Sequence, residues 1–452
     1  MSDRPVKFFQ LITFGCRVNQ YETQAIREQL LEAGYQERTP DSPEADLVVI
    51  NSCTVTQAAD NECMCAIRNL HKQRPATQIL VTGCLVQRDA DLLKGLPGVK
   101  VLAGTGQKHR IAELVREIDP WAAEPRLELE LTRVYSPLTI SSFEGRSKAF
   151  LKVQDGCDRS CAFCKIPLVR GRSRSRGMKE ILDEARRLLE AGYRELTVAG
   201  VAVGLWGREW EIGASLGDLM EEIDRLPGSF RVRLSSLDPR DLDDRLIDAL
   251  KNSSKICHHL HLSLQSGSDA VLARMNRGYT TGDYRRQVDR VREFWPDLGL
   301  TTDLIVGFPG ESRREFEETL AFCGEIRFLK VHVFPYSRRG GTSASFFKNH
   351  VPRDEIKRRA AVLRQTAAET AGRFRAGFIG SEQQVLVEEN GSGFTSQFIR
   401  VRFEAFPDEA GRLLPIMITG ATDEVLLGTV VRPTPFLTGP LDNLAKDVPS
   451  LR

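Results

Sequence analysis

The residues of this chain that can do chemistry are its cysteines, and two groups of three stand out. In Gln154-Asp-Gly-Cys157-Asp-Arg-Ser-Cys161-Ala-Phe-Cys164, three residues and then two separate the thiols. In a loop this short the three sulfurs can converge on one face of an iron–sulfur cubane, and three ligands for four irons leave one iron open to a substrate. A structural zinc site would want a fourth Cys or His at short range, and none follows Cys164 closely. Zinc, or plain core cysteines, are the alternatives.

The second group is scattered along the sequence: Phe14-Gly-Cys16, Asn51-Ser-Cys53 and Thr82-Gly-Cys84. Each thiol sits just past an apolar run that reads as a strand. If those strands are parallel, all three cysteines share the sheet edge at which open α/β sheets bind ligands. Gly15 and Gly83 would allow tight turns beside a bulky cluster. Three thiolates again fit a cluster with one open iron, and three buried structural cysteines are the bland alternative. Cys63 and Cys65, two positions apart on a helical stretch, point in different directions and read as core or surface. Cys257 and Cys323 lack spaced partners and read as core.

The elements that must position these thiols can be read from periodicity. Apolar runs Phe8–Thr13, Asp46–Ile50 and Gln78–Thr82 alternate with amphipathic stretches near Glu22–Ala33, Asn61–Gln73 and His109–Ile118. That pattern predicts an open parallel α/β sheet. Asp119–Ser147 carries two prolines, loses periodicity and reads as a linker. From Ala149 a second series begins, with strands Ala149–Val153, Arg194–Val198, Phe230–Leu234, His259–Leu264, Leu300–Val306 and Leu329–Phe334. Six β/α units fit a partial (β/α)6 barrel. The loop Pro335–Pro352 leads to a long basic helix, about Asp354–Phe374. The runs Gln383–Glu388, Phe398–Phe403, Leu414–Ile418 and Glu424–Val431, separated by Gly-rich turns, read as a small β-barrel. The fold class is α/β, and the expected domains are 1–130, 148–375 and 378–440.

With 452 residues and 41% of them hydrophobic, the chain can bury more than one core. Its 63 basic and 61 acidic residues leave a net charge of +2, so any basic surface must be local. No secretory signal and no apolar stretch long enough for a membrane is evident, so the expected compartment is the cytoplasm. In a reducing compartment ten cysteines point to metal or catalysis rather than disulfides.

The central trio, at the first strand of a β/α series, resembles the radical SAM superfamily. There the open iron holds S-adenosyl-L-methionine (SAM), and Phe163, directly before the third cysteine, matches an aromatic near the adenine. The resemblance implies SAM contacts at the carboxyl ends of later strands: Gly200 in Ala199-Gly-Val-Ala-Val-Gly204, Ser235 in Ser235-Ser-Leu-Asp238, and Gln265 in His261-Leu-Ser-Leu-Gln-Ser-Gly267. The stretch Asp303-Leu-Ile-Val-Gly-Phe-Pro-Gly-Glu311 falls on the same edge.

Gly15-Cys-Arg-Val-Asn-Gln-Tyr-Glu-Thr23, Asn51-Ser-Cys-Thr-Val-Thr56 and Gly83-Cys84 resemble the N-terminal domain of the methylthiotransferases. Cys164-Lys-Ile-Pro167, Arg170-Gly-Arg-Ser-Arg-Ser-Arg176, Leu264-Gln-Ser-Gly-Ser-Asp269, Met275-Asn-Arg-Gly-Tyr279 and Phe334-Pro-Tyr-Ser337 continue the match. Within that family the chain is most similar to the tRNA N6-threonylcarbamoyladenosine methylthiotransferases. Ala202 and Trp206 depart from the Asn and Tyr that relatives often carry.

The resemblance implies two 4Fe-4S clusters, an auxiliary one on Cys16, Cys53 and Cys84 and a radical one on Cys157, Cys161 and Cys164. One SAM would supply a methyl group to sulfur. A second would yield the radical that opens the C2–H bond of an adenosine beside the tRNA anticodon. A flavodoxin- or ferredoxin-type protein would supply electrons. No acid–base pair is called for, and His258, His259 and His261 flank or face a strand. The C-terminal segment resembles the TRAM domain, an RNA-binding barrel, with Gly393–Arg400 as a strand and Phe394 and Phe398 available for base stacking or for the barrel core. Arg170, Arg172, Arg174 and Arg176 form a run for phosphate contact or an ordinary solvated face, and Arg338 or Arg339 can pair a substrate carboxylate. Two rivals remain, a methylthiotransferase acting on a ribosomal protein aspartate and a non-catalytic, metal-stabilised RNA-binding protein.

Overall fold

The computed structural model describes residues 8–431 except 40–44, 120, 121, 123, 144, 146, 212, 390 and 405–408. Of the expected domains, residues 1–7 of the first and 432–440 of the third lie outside the described residues.

The first unit is a six-stranded, all-parallel sheet in the order Gln36–Glu37, Phe8–Thr13, Leu47–Ser52, Gln78–Gly83, Val99–Ala103, Arg126–Glu128. The strand Leu47–Ser52 is buried throughout, because helices cover both faces of the sheet. Val48 and Ile50 pack with Ile67 and Leu85 on one face, and Leu47 and Val49 pack with Ile26 and Leu114 on the other. Three of the six strands go beyond the sequence expectation, and Arg126–Glu128 lies in the presumed linker. That stretch is anchored rather than free: Leu138, Ile140 and Phe143 are buried. Glu28 accepts from the Ser141 and Ser142 amides at 2.8 and 3.2 Å. Its polar backbone is met by side chains of the helix Arg17–Glu32 and by Glu184 and Tyr193, an arrangement that has no periodicity to read.

The second unit carries six parallel β/α steps. Ala149–Lys152, Glu195–Ala199 and Arg231–Leu234 lie side by side, and Ser236–Leu237 hands the series on to His259–Leu262, Gly299–Val306 and Lys330–Pro335. An isolated bridge between Val232 and Ile256 joins the two arcs. The barrel is partial, and the helix Arg17–Glu32 of the first unit packs along the edge strand Ala149–Lys152. Tyr21 and Ala25 of that helix belong to the barrel core. Among the described residues no helix is long and apolar enough to cross a membrane.

After the helix Arg353–Ala376, five strands close into a small barrel: Glu382–Glu389, Ser392–Phe394, Arg400–Arg402, Leu426–Val430 and Leu413–Ala421. Val385, Val401, Ile416 and Leu426 fill it. Residues 395–399, expected within a strand, form a loop instead, with Phe398 at φ +69°. That left-handed backbone costs a non-glycine residue about 1–2 kcal/mol, and contacts to the central barrel hold it. Arg233 donates to the carbonyls of Ser396 at 2.8 Å and Thr395 at 3.1 Å, and Arg231 donates to that of Phe394 at 2.8 Å. Gly299 is required at the seam, since a Cβ there would lie 2.1 Å from the Gln397 carbonyl oxygen. Phe394 and Phe398 stack on each other at 4.8 Å, and the Arg233 guanidinium stands 4.9 Å from the Phe398 ring. Both rings are half-buried at the seam, and they also line a cavity of about 580 Å³ shared with the helix Arg353–Ala376.

Candidate active site between two cysteine trios

The strand Ala149–Lys152 delivers the chain to a sharp turn at Gly156, φ +76°, where a Cβ would stand 1.9 Å from the Arg172 carbonyl oxygen. The following loop is pinned by backbone bonds from Cys157 to Gly171 at 3.0 Å and from Ala162 to Met275 at 2.9 Å. Each sulfur has an N–H aimed at it. The Arg159 amide donates to Cys157 Sγ and the Ile166 amide to Cys164 Sγ, both at 3.4 Å, and Arg277 Nη1 donates to Cys161 Sγ at 3.0 Å. Such donors favour thiolates, whereas burial pushes the Cys164 thiol up to about 12 and raises Cys157. A bound cation is what would deprotonate the trio.

A cavity of about 150 Å³ opens over these sulfurs, walled by Phe163, Val201, Ala202, Ser236, Asp238, Gln265 and Arg277 among others. Phe163 and Gln265 stand in its wall, while Gly200 and Ser235 lie next to wall residues. A Cβ at Gly200 would lie 3.0 Å from Gln154 Oε1. Ser235 Oγ is buried without a hydrogen-bond partner. An unmet polar group beside a cavity whose floor is three thiols fits a polar ligand held against a metal cluster.

The second trio also comes together. Cys16 precedes the helix Arg17–Glu32, Cys53 follows the strand Leu47–Ser52, and Cys84 opens the short helix Cys84–Arg88. Gly15, φ +98°, leaves no room for a side chain, since a Cβ would stand 2.7 Å from Cys53 Sγ. Gly83, φ +105°, would place one 2.4 Å from the Ser52 carbonyl oxygen. Burial pushes Cys53 up to about 11 and raises Cys84. All ten cysteines are free thiols, so neither trio is consumed by disulfides.

Between the trios lies a buried charge network that the sequence reading missed. Arg170 Nε donates to Cys84 Sγ at 3.3 Å, while its other nitrogens bind Glu22 at 2.9 and 3.1 Å, Asp155 at 2.9 Å and Asn19 at 2.7 Å. Lys152 bridges Glu22 at 2.7 Å and Asp155 at 2.8 Å. Lys108 binds Glu22, and Asn51 at 2.8 Å. Burial alone would raise the Glu22 carboxyl, yet Arg170, Lys108 and Lys152 together hold it well below the usual carboxylate range. Two sequence signals were available. Glu22 sits at helical spacing between Val18 and Ile26, and Lys152 interrupts an apolar strand.

The deciding geometry is a cavity of about 120 Å³ lined by Cys84 of one trio and Cys164 of the other, together with Phe163, Lys165 and Arg339. Phe163 and Arg339 also wall an adjoining cavity with Gln265, Asp303 and Tyr336. Both trios therefore open on a common space. Residues 151–323 match the Radical SAM superfamily, and residues 8–104 match "Uncharacterized protein family UPF0004". The chain is 38% identical, over 94% of its length and 98% of the relative's, to the threonylcarbamoyladenosine tRNA methylthiotransferase MtaB of Chlamydia pneumoniae. The Bacillus subtilis enzyme of that name is 36% identical over 90% of this chain and 93% of its own. A tRNA-2-methylthio-N(6)-dimethylallyladenosine synthase from Acetivibrio thermocellus is 34% identical over 94% and 91%. The chain belongs to the radical SAM tRNA methylthiotransferases. In fold it is similar to the radical SAM methyltransferase TsrM of Kitasatospora setae, with a TM-score of 0.55 over 75% of this chain and 77% of that one at 15% identity.

Radical SAM methylthiotransferases work with SAM and four-iron clusters, and the two trios offer the thiol donors such clusters need. For this methylthiotransferase, the arginine run after the radical loop needs correction. Arg170 and Arg176 are 1% exposed and Arg174 is 9% exposed, while Arg172 alone projects into solvent. Arg176 pairs with Glu184 at 3.0 Å and Arg174 donates to the Arg170 carbonyl at 2.7 Å, so three of the four are structural. Arg339 is likewise buried, bound to Thr54 at 2.7 Å and Asp60 at 2.8 Å, and Arg338 donates to the Ser345 carbonyl. His259 contacts Thr301 at 3.1 Å, and His261 stands 3.3 Å from Asp303 with His332 nearby, as barrel-facing groups.

Proposed function

We propose that this enzyme methylthiolates C2 of N6-threonylcarbamoyladenosine beside the tRNA anticodon. The observation that carries the substrate is the naming of the relatives. Three enzymes with that substrate in their names are 36–38% identical to the chain, against 33–34% for the dimethylallyladenosine synthases. In this reading Cys157, Cys161 and Cys164 hold the radical cluster, and Phe163, Gly200, Ser235 and Gln265 receive SAM. Cys16, Cys53 and Cys84 hold the auxiliary cluster. When bound, the cluster and SAM supply a radical strong enough to take hydrogen from an unactivated C–H bond and a methyl group for sulfur.

The chain's own residues supply position and exclusion. Arg277 and the loop amides fix the radical trio, and Arg170 sets positive charge against Cys84. Phe163 stands where all three cavities meet, limiting the water beside the reacting carbon. A single-stranded anticodon loop can turn an unstacked base into that space, where a duplex would hide C2. Exposed Arg172 and the TRAM-like barrel at 378–440 would hold the RNA, with 1–130 and 148–375 as the two catalytic domains. A flavodoxin- or ferredoxin-type donor in the cytoplasm completes the system. Nucleoside mass spectrometry of tRNA from gene-deleted and complemented cells tests it. The methylthio form should vanish on deletion while unthiolated threonylcarbamoyladenosine accumulates, and complementation should reverse both. Loss of a methylthio group from isopentenyladenosine, or from a ribosomal protein aspartate, would refute the substrate.

A further inference from the structure

Two cations, Lys165 and Arg339, line the space shared by the trios. Lys165 follows Cys164 directly, is half-buried in the cavity wall, and its ammonium makes no hydrogen bond or ion pair among the described residues. Arg339 is 5% exposed and its Nε is buried without a partner. The one carboxylate behind it, fully buried Asp60, is shared with Arg88 at 2.5 Å. Arg88 has a second, looser partner in Asp89 at 3.8 Å, so Lys165 is the cation left without a close anion among the described residues. Apart from Thr54, which is bound to Arg339, the remaining wall of Val55, Phe163, Ile166 and Val169 is apolar. An unpaired cation in such a wall is costly unless something negative arrives to meet it.

Because the cavity lies between Cys84 and Cys164, that anion must enter with whatever is presented between the two trios. An adenine carries no negative charge, and at about 120 Å³ the cavity admits a small substituent rather than an RNA backbone. We infer that Lys165, with Arg339 behind it, forms a carboxylate-binding site for an amino-acid substituent on the target base. This rests on the substrate proposed above and makes Lys165 a specificity residue, since an isopentenyl group brings no charge to pair. The competing role is simple balancing of charge on a cluster at Cys164.

The test uses two anticodon stem–loop RNAs that differ only at the N6 group, threonylcarbamoyl with a free carboxylate and its neutral methyl ester. With anaerobic holoenzyme, kcat/KM for methylthio product should favour the free acid by at least about tenfold, the size of one charge-assisted hydrogen bond. Lys165→Met should bring the ratio near one, and Lys165→Arg should restore most of it. The affinity ratio of the same RNA pair, read without turnover, should follow and gives a result even if the variant loses radical iron. Equal losses on both RNAs in Lys165→Met, or a wild-type ratio near one, would overturn the carboxylate site. A wild-type enzyme inactive on both RNAs but active on an isopentenyl-bearing RNA would instead overturn the substrate reading beneath it.

Discussion

Glu22→Gln should be far more damaging than an isosteric change usually is. Glu22 is 1% exposed and takes Arg170, Lys152 and Lys108 at once. The amide keeps the shape and removes the charge, leaving those three cations with Asp155 as their only close anion. Lys108 then retains Asn51 Oδ1, 2.8 Å away, and at most a neutral amide oxygen in place of the carboxylate. Stranding a buried charge in this way costs about 3–5 kcal/mol, against about 1 kcal/mol or less for an exposed pair. Whole-chain unfolding of a multi-unit protein is a poor gauge, so the readout is native-state hydrogen exchange in the helix Arg17–Glu32. Adding Lys108→Met to Glu22→Gln should recover about 1–3 kcal/mol of that loss by removing the stranded ammonium. The acid dependence has a definite sign. A carboxyl held below its unfolded value contributes fully above the ordinary carboxylate range and is lost as pH falls through its folded value. Wild-type protection should therefore be level from about pH 5 upward and fall only in stronger acid, a fall whose Glu22 share the variant lacks. A penalty below about 1 kcal/mol would show that the network is solvated and that the argument fails.

Replacing Cys157, Cys161 and Cys164 by Ala should halve the iron, from about eight per chain, and abolish reductive SAM cleavage, whereas the same change at Cys16, Cys53 and Cys84 should halve the iron and abolish only the methylthio product. Iron analysis and product chromatography on anaerobically reconstituted protein read both. Gly156→Ala forces a Cβ into the Arg172 carbonyl at 1.9 Å, and should strip the radical trio of iron while the auxiliary iron remains. Arg172→Gln should reduce the slope of log affinity against log salt for tRNA by about 0.7–0.9, and Phe398→Ala, a seam residue, should leave that slope unchanged.

Legibility followed the repeat length of the structure. Strands buried on both faces, such as Leu47–Ser52, and the six β/α steps announce themselves through apolar runs. So does the convergence of Cys16, Cys53 and Cys84, because parallel strands carry their carboxyl ends to one edge. The loop Thr395–Ile399 misled, since Phe394 and Phe398 look like strand residues until the carbonyls between them are seen bound to Arg231 and Arg233. The arginine run misled for the opposite reason. Alternate arginines look solvated in sequence, yet Glu22, Asp155 and Glu184 lie opposite them only in three dimensions. Arg339 was legible as a cation for a substrate carboxylate but not its bonds to Thr54 and Asp60, and Lys165 carries no periodic signal, its meaning coming from what is missing around it.

The charge network also fixes an order of assembly. Glu22 is made early, but Arg170, 148 residues later, reaches it only after the ribosome has worked for roughly 7–30 s at about 5–20 residues/s. Until then the cationic partner of Glu22 is Lys108 of the first unit, 86 residues away, and the network lacks Lys152 and Arg170. The first sheet has its own two packed faces, so what waits for the second unit is the completed charge network. The contact of Arg170 with Cys84 is thus made only when the loop of the radical trio has packed against the first unit.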